Sequence, residues 1–165
     1  MTINDVVTSS DKQARLIELL RADPSFTAAF SGKEILKTDP DGVTRGEQYN
    51  ITLEIAGSGL GDGSLGGSGV GTDCPFSQLV LMVYVISESG ADADRKQQCV
   101  RATEQILAIM RKYQAHSRQG KQIWYSMEMP LRQGGLSTTY HWRKEEGIYL
   151  SVTPINLYSR ATILS

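Results

Sequence analysis

The chain has 165 residues and a mass of 18.1 kDa, with 17 basic and 18 acidic side chains and a formal net charge of -1. A chain of this length can form one domain with its own hydrophobic core, and a 40% hydrophobic, 21% charged composition excludes fibrous and disordered proteins. The balanced charge argues against a protein that binds nucleic acid by broad phosphate neutralisation.

The cysteine content and the hydropathy exclude further classes of protein. Cys74 and Cys99 are too few for a disulfide scaffold and lack the spacing of a zinc site. No apolar run approaches the roughly 20 residues of a membrane span, and residues 1–10 lack the order of a signal peptide. We therefore expect a protein of the cytoplasm that makes no membrane contact.

The first predicted element is an amphipathic helix. Ser10 and Gln13 have the spacing of a capping box, which predicts a helix start near Asp11. Pro24 predicts a helix end near Ala22, with Asp23 capping a short second helical turn at 26–30. The apolar stripe of the helix consists of Ala14, Leu16, Ile17, Leu19 and Leu20, and its polar face of Lys12, Arg15, Glu18 and Arg21.

A turn-forming segment follows at residues 37–46, which is rich in Asp, Pro and Gly. Asp39, Asp41 and Gly42 partly match a calcium-binding loop, but the remaining ligands of that motif are missing at the required spacing. We therefore predict no metal site.

The glycine-rich segment at 57–71 contains half of the 16 glycines of the chain and follows a predicted strand at 49–55. Within it, Gly61–Gly66 reads GxGxxG, and Glu88 lies near the spacing of a ribose-binding acid. A dinucleotide site needs a helix that begins at the glycines. The sequence instead continues into an apolar strand at 79–86. We therefore predict a flexible loop between antiparallel strands that folds against a partner or a neighbouring copy, with nucleotide binding as the lesser alternative.

The second main helix is predicted to open at 89–94. Its apolar stripe consists of Cys99, Ala102, Ile106, Ile109, Met110 and Tyr113, and its polar face of Arg95, Lys96, Arg101, Glu104, Arg111 and Lys112. Cys99 on the stripe is typical of a buried apolar residue rather than a nucleophile. The cationic face is typical of a solvated helix, with DNA contact through Arg111 and Lys112 as the alternative.

Three closing strands are predicted at 123–129, 138–143 and 148–153, followed by a tail at 154–165 that is too short for an element of its own. Within the second of these strands, His141 has no accompanying motif for a nucleophile or an orienting carboxylate, so we expect a structural or interface role for it. We predict no catalytic, cofactor-binding or metal-binding residue.

The order of these elements predicts an α+β fold for residues 1–165 as a single domain. A mostly antiparallel sheet of four to five strands carries the two main helices on one face.

The chain contains a Leu-Leu-x-Ala-Asp-Pro phrase at 19–24, a predicted strand at 79–87, a helix at 92–113 and a final strand at 148–153. In these features it resembles the tail-terminator, or tail-completion, proteins of long-tailed bacteriophages. The resemblance implies a non-enzymatic structural protein of the virion tail or neck, assembled in the host cytoplasm without a cofactor. Such a protein forms a ring, usually of six copies, that caps the tail tube.

The partners implied by the resemblance are further copies of the chain, the tail tube, the sheath protein and the head-side connector, with DNA contact only through the ring lumen. Two alternatives stay open. The chain is also compatible with a head–tail connector or neck protein of the same particle, and to a lesser degree with a small nucleotide-binding enzyme that uses Gly61–Gly66.

Overall fold

The computed structural model describes residues 7–30, 36–37, 49–61, 74–86, 92–118, 121–130, 136–143 and 147–159. Within these residues the helices are α1 (Ser9–Ala22), α2 (Pro24–Phe30) and α3 (Asp92–Met110), the last followed by a 3-10 turn (Arg111–Tyr113). The strands are β1 (Leu36–Lys37), β2 (Tyr49–Gly61), β3 (Cys74–Ile86), β4 (His116–Arg118), β5 (Lys121–Trp124), β6 (Ser126–Glu128), β7 (Thr139–Arg143) and β8 (Ile148–Tyr158).

The main sheet has the strand order β1-β2-β3-β8-β6, and β7 also pairs with β8. Every pairing in it is antiparallel except that of the two-residue β1 with β2. Strands β4 and β5 form a separate two-stranded hairpin. The predicted α+β class and the mostly antiparallel sheet are confirmed.

The hydrophobic core lies between one face of the sheet and the three helices. Leu79, Leu81 and Val83 alternate along β3 and are fully buried, as the period-two pattern requires. They belong to one cluster with apolar side chains of all three helices, including Leu16, Leu20, Phe26, Phe30, Ile106 and Met110. At roughly 1.5 to 3 kcal/mol for each large apolar side chain buried, this cluster is the main favourable term that fixes the helices on the sheet.

Helix α1 begins two residues earlier than predicted. Its N-cap is Thr8, whose hydroxyl accepts from the Asp11 amide at 3.1 Å while the Asp11 carboxylate accepts from the Thr8 amide at 2.8 Å. The predicted box of Ser10 and Gln13 is wrong because Gln13 donates instead to the Leu53 carbonyl, at 2.7 Å. The predicted end at Ala22 is confirmed.

The polar face predicted for α1 is wrong at Lys12, which is only 2% exposed, and the apolar stripe is wrong at Ala14, which is exposed. Lys12 lies one helical turn before Leu16 and two turns before Leu20, so it shares their buried face. The position of Lys12 on the helix, rather than its charge, therefore decides that it is buried.

The glycine-rich segment is not a loop at its start. Residues Gly57–Gly61 belong to β2 and pair with Cys74–Gln78 after a bulge at Ala56. The loop prediction for 57–71 is therefore wrong through Gly61, and the rest of that segment lies outside the described residues.

The tail predicted at 154–165 is likewise a strand through Tyr158, because β8 continues past Pro154. Pro154 pairs with Val80 of β3 on one side, whereas on the other side β7 pairs only up to Val152 and β6 only from Asn156. Proline is tolerated here because the position lacks a ladder partner on that side.

The single strand predicted at 123–129 is two strands, interrupted at Tyr125. Trp124 and Met127 are both buried, a spacing that a regular strand cannot place on one face. The chain therefore leaves the β4–β5 hairpin at Tyr125, whose amide donates to the Tyr158 carbonyl at 2.9 Å, and joins the main sheet as β6.

Candidate functional site

The GxGxxG motif begins at the tip of an antiparallel strand pair. Gly61 is the last residue of β2 and lies opposite Cys74 of β3. Antiparallel pairing excludes the strand-helix-strand unit that presents a dinucleotide to a helix N-terminus, so the predicted connection between antiparallel strands is confirmed. The remaining motif residues and Glu88 lie outside the described residues, as do Asp39, Asp41 and Gly42 of the incomplete calcium motif.

Cys99 is a core residue, as predicted. It is fully buried on α3, and its thiol lies 3.6 Å from the Val83 carbonyl. Burial raises the pKa of the Cys99 thiol, although hydrogen bonds with Ser151 and Thr103 oppose the shift. A neutral, enclosed thiol is a poor nucleophile.

His141 lies exposed on β7, and its Nε2 is 3.2 Å from the hydroxyl of Thr139 on the same strand. Among the described residues, no group of three or more His, Cys, Asp or Glu side chains is arranged to hold a metal ion. The interface role expected for His141 stays a prediction.

The cationic end of α3 is tied to the α1–α2 junction. Lys112 donates to both carboxylate oxygens of Asp23, at 3.2 and 3.3 Å, and to the Ser25 hydroxyl at 3.0 Å. Both Arg111 and Lys112 are exposed, but the ammonium group of Lys112 is engaged within the chain. Of these two cations, Lys112 contacts the Asp23 carboxylate, and Arg111 makes no contact with that carboxylate within the described residues.

Asp23 connects three helical segments. Its Oδ1 accepts from the amides of Ser25 and Phe26 at 2.8 and 3.3 Å, which confirms the predicted cap of α2. Its Oδ2 accepts from the Tyr113 hydroxyl at 2.6 Å. Burial alone raises the pKa of Asp23, but the hydrogen bonds from Tyr113, Lys112 and the two amides outweigh it and hold the pKa below its usual value.

The opposite end of α1 contains a second buried polar cluster, formed by Lys12, Ser77 and Ser9. Lys12 donates from Nζ to the Ser77 hydroxyl at 3.0 Å, and the Ser77 and Ser9 hydroxyl oxygens are 2.7 Å apart. Ser77 is 1% exposed, whereas Ser9 is half-buried. Burial lowers the pKa of Lys12 to about 8.

An aromatic and cationic cluster lies on the β7 side of the sheet. Trp142 of β7 stacks on its cross-strand partner Tyr149 of β8, with ring centroids 5.8 Å apart, and the Arg95 guanidinium lies 5.5 Å from the Trp142 ring centroid. All three side chains are half-buried. Gly147 has a φ of 65° and approaches Arg95, which explains the glycine in the turn before β8. Half-exposed Trp, Tyr and Arg are the residue types most enriched at protein interfaces.

The opposite edge of the sheet is formed by the two-residue β1 and by the part of β2 that extends beyond it. Among the described residues, β1 pairs with β2 at Ile51 and Thr52. Ile55 lies further along β2, and its large hydrophobic side chain is 40% exposed. The sheet thus presents two different candidate contact surfaces. We call them the β2 edge (54–58) and the β7 surface (Arg95, Trp142 and Tyr149).

Sequence reasoning missed Lys12, Ser77 and Ser9 as a group. The spacing of Lys12 from Leu16 was the available signal, because residues four apart share a helix face. Ser77 is 65 residues away from Lys12, and no local pattern predicts that contact.

No model of a protein family matches the chain, and no curated protein sequence matches it. Sixteen solved chains match it in fold. One of them comes from the virion of a native gene transfer agent particle, with 13% sequence identity and a TM-score of 0.54 over 90% of this chain and 94% of that chain. At this identity the likeness is one of fold. None of the helices in the described part of the chain has the length and hydropathy of a membrane span.

Proposed function

We propose that this chain is a structural protein of a phage-like virion, and more specifically a tail terminator that forms a ring on the tail tube and joins it to the head-side connector. The observation that carries the proposal is the fold shared with a chain of a gene transfer agent virion over nearly the whole length of both chains. The resemblance of residues 19–24 and of the element order to tail terminators supports the finer assignment.

The two candidate contact surfaces support an assembly role. A ring of identical subunits needs two different surfaces that meet head to tail. The β2 edge and the β7 surface lie toward opposite edges of one sheet, so contact between them in successive copies would propagate such a ring. The net charge of -1 keeps the repulsion between copies small.

The proposed partners are further copies of the chain, the tail tube, the sheath protein where one exists and the head-side connector. A connector or neck protein of the same particle is the second candidate, because the gene transfer agent chain is described only as part of the virion. DNA would meet either ring only through its lumen.

The experiment that tests the proposal is electron microscopy of the purified chain with and without tail tubes, together with its mass in solution by light scattering. We expect closed rings that bind the ends of tubes. Rings that bind a head-side partner and leave tube ends bare would favour the connector. A persistent 18.1 kDa monomer that never decorates tube ends would contradict both assignments.

A pair of matched variants tests the β2 edge. In Ile55→Arg, a charge replaces an apolar side chain that is already 40% exposed, so we expect the ring to dissociate into folded subunits with an unchanged circular dichroism spectrum. Ala108→Arg places the same charge at an exposed position of α3 and should leave the ring intact. If both variants assemble like the parent chain, the β2 edge is not a subunit contact.

A further inference from the structure

The cluster at the N-terminal end of α1 has the arrangement of a proton relay. Lys12 is 2% exposed, Ser77 is 1% exposed and Ser9 is half-buried, so the two contacts connect two enclosed groups to one that reaches solvent. The polar atoms that make these contacts are 3.0 and 2.7 Å apart, both within hydrogen-bond distance.

The positions of the three side chains are fixed by secondary structure. Ser9 and Lys12 are three residues apart on α1, which places them on one face of the helix. Ser77 lies on β3, paired with Ser58 of β2 and Leu157 of β8, so its backbone is held on both sides. The geometry is therefore pre-organised by the helix and the centre of the sheet.

The chemistry of the relay follows from these contacts. A serine hydroxyl becomes a nucleophile when a base takes up its proton, and lysine acts as that base when burial favours its neutral form. The pKa of about 8 for Lys12 leaves roughly a tenth of the amine neutral at pH 7. Ser9 is also the first residue of a 14-residue helix, whose positive end favours negative charge developing nearby.

We propose that Ser9 is an activated nucleophile that accepts an acyl group from an activated ester, with Ser77 and Lys12 carrying its proton away. The Ser9 oxygen attacks the ester carbonyl, the new Oγ–C bond forms, and the bond to the leaving alcohol or phenol breaks with its electron pair. The proton passes from Ser9 to Ser77 while the Ser77 proton passes to Lys12, which ends the step as an ammonium group, and the departing alkoxide or phenoxide carries the balancing negative charge. The product is an acyl ester on Ser9.

The test uses the full chain and p-nitrophenyl acetate, with the modified residue identified by peptide mass spectrometry. We expect an acetyl group on Ser9 that hydroxylamine removes, formed at least about 100-fold faster than on Ser10. Ser10 is the matched comparison because it is an exposed serine in the same helical turn. Preferential acetylation of Ser10, or a hydroxylamine-resistant acetyl group on Lys12 in place of Ser9, would overturn the proposal.

Three single substitutions distinguish a role of these residues in the reactivity of Ser9 from a role in the fold. Lys12→Met and Ser77→Ala should each slow acetylation of Ser9 at least about tenfold with the circular dichroism spectrum unchanged, whereas Ser10→Ala should have no effect. Equal rates in Lys12→Met and the parent chain would show that Lys12 is only a structural residue.

A pH profile of the parent chain keeps the proposal testable even if Lys12→Met fails to fold. The acetylation rate of Ser9 should rise with pH and level off above about pH 8, where Lys12 is neutral. A rate that keeps rising in proportion to hydroxide through pH 9.5 would overturn the relay, because it would indicate an unassisted serine.

Discussion

The two ends of helix α1 each bury a charged side chain, and the two are satisfied in different ways. At the C-terminal end, Asp23 accepts hydrogen bonds from two backbone amides, a hydroxyl and an ammonium group. At the N-terminal end, the partner of Lys12 within the described residues is the Ser77 hydroxyl, and burial alone accounts for the shift of its pKa. The carboxylate is therefore stabilised as an ion, whereas the amine is driven toward its neutral form.

This difference gives Asp23 a structural role and Lys12 a chemical one. An ion with a complete set of partners fixes the geometry of the segments that supply them, here α2 and the end of α3. A buried amine whose partner within the described part of the chain is a hydroxyl retains a tendency to exchange its proton near neutral pH. The comparison predicts that stability depends more on Asp23 than on Lys12, and that reactivity depends on Lys12.

The largest effect is expected for Asp23→Ala. It removes the cap of α2 and leaves the Tyr113 hydroxyl and two amides without their acceptor, so the free energy of unfolding should fall by about 3 kcal/mol. Urea denaturation at pH 7 measures this loss. Glu104→Gln, at an exposed position in the middle of α3, serves as the control and should change stability by less than about 0.5 kcal/mol.

The ionisation of Asp23 also predicts how the free energy of unfolding changes at acidic pH. The pKa of Asp23 is lowered in the folded state, so its contribution is present above the unfolded value of about 3.9 and is lost as pH falls through the lower folded value. The Asp23→Ala variant should therefore lose less stability than the parent chain below pH 4. Parallel acid limbs for the two proteins would contradict this assignment.

The second effect concerns Lys12 and alkaline pH. Because its pKa falls to about 8 on folding, the unfolded chain binds more protons above that pH, and stability should rise between pH 8 and 10. The expected gain is of order 1 to 3 kcal/mol. Above pH 10, Tyr113 opposes it, because burial and the Asp23 carboxylate raise the pKa of Tyr113 to about 12 and unfolding then releases its proton.

Lys12→Met isolates that rise, because methionine keeps the length of the side chain without the charge. The variant should be more stable than the parent chain at pH 7 and should show no gain between pH 8 and 10. Lys96→Met, at an exposed position of α3, should keep the parent pH dependence. A rise that persists in Lys12→Met would assign it to another group.

The sequence predicts the two ends of α1 unequally. Pro24 marks the helix end, and Asp23 before it is a typical cap, so half of that site is visible locally. Its other half, Tyr113, lies 90 residues away and is brought close only by packing of α3. The charge of Lys12 predicts a place on the polar face, whereas its spacing from Leu16 puts it on the buried face.

The lengths of the strands could not be predicted from local sequence patterns either. The predicted strands at 49–55 and 148–153 lie within β2 and β8, but both continue through residues that are typical of turns. Glycines at 57–61 and Pro154 remain in strands because β3 pairs with them along most of its length. Tertiary pairing overrides local propensity here, and sequence patterns do not contain that information.

A smaller effect is expected for Tyr113→Phe, which removes one hydroxyl and leaves the ring in place. The lost 2.6 Å hydrogen bond to a buried carboxylate should lower the free energy of unfolding by about 1 to 2 kcal/mol. The pKa of Asp23 should rise at the same time, because Tyr113 is the first of the groups that lower it. Two-dimensional NMR of the Asp23 carboxyl carbon against pH measures that change, and an unchanged titration would remove Tyr113 from the network.

The smallest effect is expected for Lys112→Met, although Lys112 also contacts Asp23. Its side chain is 49% exposed, so water screens the 3.2 Å ion pair and competes for its donors. We expect a loss of about 0.5 kcal/mol in urea denaturation, which should shrink further in 1 M salt because exposed ion pairs are screened. A loss as large as that of Tyr113→Phe would show that the ion pair, rather than the enclosed hydroxyl, holds Asp23. The contrast between the two ends of α1 would then rest on charge pairing instead of on the number of hydrogen-bond donors.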